Sequence, residues 1–525
     1  MKKIIMIVVI MLCSWAIRAQ KANWQNLDLK RDSVFGVSTE RAYDELFKNK
    51  NLTTVIVAVI DNGVDTSHED LASVIWTNKN EIPGNGLDDD HNGYVDDVHG
   101  WNFLGTEVGA EDVTNLAFKQ KDYFDSLSYT KVPEDLQPSY RKWKKIWNDY
   151  NGHLSNAQAF MSQVSTTQSL LDTIVRKMGK ANPILRDFKS YIARNKEEKS
   201  LCDVIVKLLP QYRDFLQYKA QEVDSVLELL KYHVDHGLSF YNAPDSSASD
   251  QQRYLGDNDV CGPRTLLRPN RGPFHGTHLA GIIAADRSND IGIQGIASNV
   301  KIMPLKVMSF YRELRDLNLA NAIRYAVDNG AKIINLSFGK PYTFNKQAVD
   351  AAIKYAMLKD VLIVHAAGND GIDLDKTTVF PNPVYEDSSG RARAWIEVGA
   401  SNFKDDVDLV AGFSNYGKSS VDVFAPGVNI YSTTPISDYD VFSGTSMAAP
   451  VVAGTAALIR GSYPQLSALQ VKDIILRSVT RVDHAVYVVK NQQKLLIPFS
   501  ELCVSGGVVN VYNALKLAEK AVKAK

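Results

Sequence analysis

Four polar side chains scattered along the chain carry the means to cleave an acyl bond: Asp61, His275, Asn369 and Ser446. Ser446 lies in FSGTSMAAP, a run of small residues that leads into the apolar stretch Val451–Ile459. That pattern predicts a helix starting at the serine, with free backbone N–H groups beside its hydroxyl. Donors so placed can hold a developing oxyanion. Taken singly, each residue has a plain structural job. Asp61 and Asn369 suit turns after apolar strands, His275 suits a tightly packed helix of small residues, and Ser446 suits a helix cap. Together they form a working set. An acid orients an imidazole, the imidazole takes the serine proton, the serine attacks, and an amide steadies the oxyanion. His278, three residues after His275, raises a metal pair, but no further ligand follows at metalloprotease spacing. The order also argues against a nucleophile-elbow esterase, whose acid and histidine come after the serine; here the only histidine that follows Ser446 is His484.

Such residues need elements to hold them. From Val55 to Ile60 the chain is nearly continuously apolar and β-branched, as in a strand covered on both faces. Similar runs recur at 300–308, 331–339, 360–370 and 394–401. Helical spacing lies between them, with Leu319, Ile323 and Ala326 in 317–330 and a like pattern in 346–360. Alternating strands and helices predict an α/β fold with a mostly parallel sheet and helices on both faces. Ligands in such sheets sit at the carboxyl ends of the strands, where Asp61 and Asn369 fall. The stretch 105–255 differs. Tyr140, Trp143, Trp147 and Tyr150 form one helical stripe, and Tyr212, Phe215, Leu216, Val223, Val226, Leu227 and Leu230 form another. Pro210 breaks the helix before the second stripe. The expected layout is an α/β domain made of 20–104 and 256–525, interrupted by an all-helical insertion at 105–255.

The motifs then resemble a known family, the subtilisin-like serine peptidases. VIVAVIDNGVDTSHEDL is similar to the family's aspartate segment and HGTHLAGIIAA to its histidine segment. NLSFG resembles its substrate-pairing strand, AAGND its oxyanion asparagine, and VDVFAPGVNIYST with SGTSMAAPVVAGTAAL its serine region. The covered segments are about 53–104 and 273–480. The resemblance implies a three-layer subtilisin-like fold and endopeptidase activity on extended protein or peptide substrates. It implies a triad of Asp61, His275 and Ser446, an oxyanion role for Asn369, and substrate contacts at Ser337, Phe338 and Gly339. The rival reading is a catalytically silent binding protein on the same fold, using the helical insertion. Asp61 and His275 stand farther apart than the family pattern expects, and the insertion accounts for the excess. Between Ala19 and Asp61 there is no room for a separate pro-domain of ordinary size, so the insertion is expected to assist folding or latency.

A second constellation is DDDHNGYVDD, 88–97. Asp88, Asp90, Asn92, the Tyr94 carbonyl and Asp96 fit the first positions of a calcium loop, although His99 stands where the bidentate glutamate belongs. Crowded carboxylates repel unless a cation joins them. From the resemblance, a further structural calcium site falls on Asp70 and Asn289. No catalytic metal is expected.

Composition bounds the rest. The chain has 525 residues, 45% of them hydrophobic, and a formal net charge of -1. That balance excludes a nucleic-acid partner on charge grounds. Residues 1–19, with Lys2, Lys3 and the apolar Ile4–Trp15, read as an export signal. No second apolar run of membrane length follows, so the mature chain is expected in the periplasm or outside the cell. Removing Cys13 with the leader leaves Cys202, Cys261 and Cys503, which is not a disulfide framework.

Overall fold

The computed structural model describes residues 22–47, 52–104, 112–125, 127, 132–232, 234, 235, 238, 273–308, 314–490 and 493–524. The expected leader and Cys261 lie outside the described residues. The strands are β1 (Val55–Asp61), β2 (Trp101–Asn102), β3 (Val300–Lys306), β4 (Ile333–Leu336), β5 (Leu362–Ala366), β6 (Trp395–Ser401) and β7 (Val423–Pro426). A hairpin, β8 (Ile430–Thr434) with β9 (Asp438–Phe442), comes next. Then follow β10 (Thr480–Arg481), the hairpin β11 (Ala485–Lys490) with β12 (Gln493–Pro498), and β13 (Gly507–Val508). Nine strands form the main sheet in the order β10-β13-β7-β6-β5-β4-β1-β3-β2. Its pairs are parallel except β10 with β13 at one edge.

The described helices include α1 (Thr39–Leu46), α2 (Asp112–Lys119), α3 (Gln137–Met178), α4 (Lys196–Leu208), α5 (Phe274–Ala284), α6 (Asp316–Asp328), α7 (Lys346–Leu358), α8 (Thr445–Ser462), α9 (Ala468–Arg477) and α10 (Val511–Lys523). The period of two in β1 sorts its side chains between two cores. Val55, Val57 and Val59 pack with Leu279 and Ile283 of α5 and with Val451 and Val452 of α8. Ala58 and Ile60 pack with Leu319 and Ile323 of α6 and Ile353 of α7. Both faces are therefore dry, which is why the strand reads as one apolar run. Asp61 shares the parity of Val57 and Val59 and so emerges on the α5 side.

Between Asp112 and Tyr232 the described residues form helices and turns without a strand. The helix α3 has 42 residues, about 63 Å at the α-helical rise. Its first part buries Tyr140, Trp143, Ile146 and Tyr150, and its last part buries Leu171 and Ile174. Leu171 and Ile174 join Phe188, Cys202, Ile205 and Phe215 in a core of their own. The first part docks on the α/β body. Tyr342 packs with Val113, Ala117, Ile146 and Tyr150, and its hydroxyl donates to Asp149. Lys340, buried, donates to Asp112 of α2, to Asp316 of α6 at 2.7 Å and to the Leu314 carbonyl at 3.0 Å. The helices α2 and α3 thus grip the residues directly after Ser337–Gly339.

Candidate active site

Asp61 ends β1 fully buried, a position that costs free energy unless the carboxylate is partnered. Its oxygens lie 2.8 and 3.0 Å from His275 Nδ1. The Asn62 N–H also donates to Asp61 Oδ1 at 2.8 Å. His275 occupies the first turn of α5, and the next residue explains how it comes so close. A Cβ at Gly276 would lie 2.0 Å from the Gly63 carbonyl oxygen, so only glycine lets the helix start approach the aspartate turn. The Gly276 N–H then donates to Asn62 Oδ1 at 2.9 Å. Burial pulls the imidazole pKa down, but the Asp61 charge and hydrogen bond more than reverse this, so it lies above its ordinary value. His278 has a different setting. Its Nε2 faces the carbonyls of Ile430 and Asp440 at 3.0 and 3.2 Å, and burial pushes its pKa down to about 3.

Ser446 is the second residue of α8; the cap position is Gly444, without a side-chain cap bond. Ser446 Oγ donates to the Ser337 carbonyl at 3.0 Å, and Ser337 Oγ donates to the Ser446 carbonyl at 2.9 Å. The second bond has a cause in sequence. Pro450 stands inside α8 and has no N–H for the carbonyl four residues back, so that of Ser446 is left for Ser337. Among the described residues Ser446 and His275 share no hydrogen bond.

Asn369 sits in a turn after β5. Its Oδ1 accepts from both the N–H and the hydroxyl of Thr445 at 2.9 Å, which aims its amide N–H group the other way. A Cβ on Gly444 would lie 3.5 Å from Asn369 Nδ2 and 3.6 Å from the Ser446 nitrogen, so both donors border one small space. Gly368 has φ 102, a left-handed conformation that suits glycine. Asn415 braces the turn by accepting from the Asp370 and Ile372 N–H groups, each at 3.0 Å. Thr445 holds Asn369 and Gly368, and Asn415 holds the backbone on either side of them; no spacing in the sequence marks either residue. Ser337 is buried, Phe338 half-buried and Gly339 exposed.

The acidic loop is built differently from its linear count. Asp88 accepts from the N–H groups of Asn92 and Gly93, and Asp96 accepts from those of Gly84, Asn85 and Gly86. Asn92 donates to Asp97, and the Tyr94 ring packs edge-on against Trp101 and Tyr325. Asp90 alone of the counted carboxylates turns to Glu81 and Asp97, with ligand oxygens within 4.8 Å of one another. Burial, opposed by backbone N–H bonds and helped by the charge of Asp97, raises the Glu81 carboxyl above its usual range. Burial likewise raises Asp97 despite hydrogen bonds from Tyr325 and Asn92. Three partly desolvated carboxylates with oxygen donors only fit a hard cation such as calcium. Asp70 and Asn289 also meet. The Asn289 amide donates to Asp70 Oδ1 at 2.8 Å and the Ile293 N–H to Asp70 Oδ2 at 3.1 Å.

A mostly parallel sheet covered on both faces, with a serine at one helix mouth and a histidine at another, defines the subtilisin-like class of α/β fold. The sequence model of Peptidase S8, the subtilase family, matches residues 53–495, and the chain belongs to that family. It is 30% identical over 376 residues to the cell wall-associated protease of Bacillus subtilis (strain 168), covering 72% of this chain and 38% of that protein. Subtilisin DY of Bacillus licheniformis is 39% identical over 218 residues, covering 41% of this chain and 74% of its own. Thermitase of Thermoactinomyces vulgaris is 42% identical over 192 residues, 36% of this chain and 62% of its own. Among solved structures, that of the prenylagaramide maturation protease PagA aligns with a TM-score of 0.39 at 27% identity, covering 48% of this chain and 84% of that one.

Proposed function

We propose that the chain is an exported serine endopeptidase with Asp61, His275 and Ser446 as its triad. The observation that carries the reading is the Asp61–His275 bond on the same sheet end as two N–H donors that border Gly444. His275 Nε2 takes the Ser446 proton as Oγ attacks the scissile carbonyl. Asp61 fixes the Nδ1–H tautomer and stabilises the imidazolium. Asn369 Nδ2 and the Ser446 N–H hold the oxyanion, and the imidazolium protonates the leaving amine. Water then resolves the acyl-enzyme with His275 as base. Ser337–Gly339 pairs with the extended substrate. Asn369→Ala tests the arrangement. It should lower kcat about 10²–10³-fold with little change in KM, and a pure KM effect removes Asn369 from the oxyanion site. Export rests on the leader at 1–19, and the helical part of the insertion rests on its described residues between 112 and 232.

Calcium is proposed as a structural ion, held by Glu81, Asp90 and Asp97. It would neutralise carboxylates that otherwise repel, and it takes no part in peptide cleavage. Chelator should lower the Tm of the parent by several degrees and leave Glu81→Gln nearly insensitive. A parent melt unmoved by chelator removes the ion from this site.

A further inference from the structure

His365 and Glu397 take no part in the steps above, yet they lie enclosed beneath the segment assigned to the substrate. Their relative exposures are 0% and 4%. β5 and β6 pair with His365 opposite Glu397. His365 Nδ1 lies 2.7 Å from Glu397 Oε1, and Glu397 Oε2 accepts the Trp395 indole N–H at 2.8 Å. On its other side, His365 Nε2 lies 2.8 Å from the Phe338 carbonyl oxygen. A carbonyl oxygen only accepts, so Nε2 carries a proton and donates it to that bond.

The place of this bond in the sheet matters. β4 pairs with β5 as far as Leu336 opposite His365, and there β4 ends. The next carbonyl, of Ser337, faces Ser446 Oγ. Carbonyls alternate along an extended chain, so that of Phe338 points the other way, toward β5. A side chain takes it where the backbone ladder has stopped. An apolar pair of similar volume would serve the core at least as well as a buried histidine and glutamate. It could not hold a carbonyl at a fixed distance.

We propose that His365 is a positioning residue for substrate binding: its Nε2–H, with the ring set by Glu397 and Trp395, anchors Phe338 so that Ser337 and Gly339 present their backbone to a peptide beside Ser446. This rests on the endopeptidase reading, and the test separates the two. His365→Gln keeps an N–H near the Nε2 position, whereas His365→Asn keeps one only near Nδ1. Both lose packing, so a merely structural role moves them together. The positioning role splits them. For a tetrapeptide amide, KM should rise about five- to tenfold in the Asn variant and stay within about threefold in the Gln variant. A small fluorophosphonate needs only Ser446 and the oxyanion donors, so its rate of labelling should match the parent in both. Equal KM changes in the two variants, or no change in the Asn variant, overturn the proposal. Should the Asn variant not fold, the Gln variant decides alone, and a tenfold rise in its KM refutes the role. A parent protein that takes no label and cleaves no peptide instead sinks the endopeptidase reading.

Discussion

Ser446→Ala is expected to lower kcat for peptide cleavage on the order of 10⁶-fold, with the protein folded and thermally near its parent. The size follows from the chemistry. Without Oγ there is no nucleophile for His275 to activate, and only substrate binding and the oxyanion donors remain to assist water. The absence of a folding penalty follows from the structure. The helix start depends on Gly444 and not on a serine cap. The Ser446 carbonyl, which takes the Ser337 hydroxyl, belongs to the backbone and stays. The one bond lost is from Oγ to the Ser337 carbonyl, at the half-buried mouth of the cleft. Turnover numbers with a peptide amide, alongside a fluorophosphonate label, check the result. A variant that cleaves at rates like the parent's places the nucleophile elsewhere. A parent that takes no label returns the chain to the silent binding reading.

How much of this could be read along the chain depended on how local each feature was. β1, β3, β4, β5 and β6 are visible because strands covered on both faces leave nearly continuous apolar runs, each interrupted by no more than a few polar residues. β2, β10 and β13 have two residues each, too few to show any period. The outer hairpin strand β9 is largely solvated, so its alternation carries no apolar signal. The same division holds in the site. Asp61, His275, Asn369 and Ser446 each sit in a compact turn or helix start with its own small residues. Glu81 reaches Asp90 and Asp97 only through the folded path of the loop, and nothing near it in the sequence marks the meeting. His365 and Glu397 are single polar residues inside apolar strands 32 positions apart, which the strand pattern hides.

Lys340→Met should be the most destabilising single change in the docking of the insertion, at about 3–5 kcal/mol. Lys340 faces Asp112 from the insertion and Asp316 from α6, and all three are buried. Removing the cation takes the Lys340 charge from Asp316 and from Asp112, both buried, which costs more than the ion group contributes when intact. Asp112→Asn should cost less, because Lys340 keeps Asp316 and the Leu314 carbonyl. Thermal unfolding checks the order: the methionine variant should melt ~5 °C or more below the parent, with the asparagine variant between them. The pH trend gives a second, independent sign. In the parent, burial raises the Asp316 carboxyl, but Lys340 and bonds from Thr343 and Asn345 hold it below its ordinary range. Its stabilisation is therefore present above the unfolded carboxylate pKa, about 3.9, and is lost as pH falls through the lower folded value. In the methionine variant the Lys340 charge no longer opposes burial and only the bonds from Thr343 and Asn345 do, so the Asp316 carboxyl moves upward and takes up its proton at higher pH than in the parent. The gap between parent and variant should then narrow as pH is lowered from 7 toward 4. A gap that stays constant or widens over that range, or a methionine variant as stable as the parent, means that Lys340 is not the charge that holds the insertion beside the substrate segment.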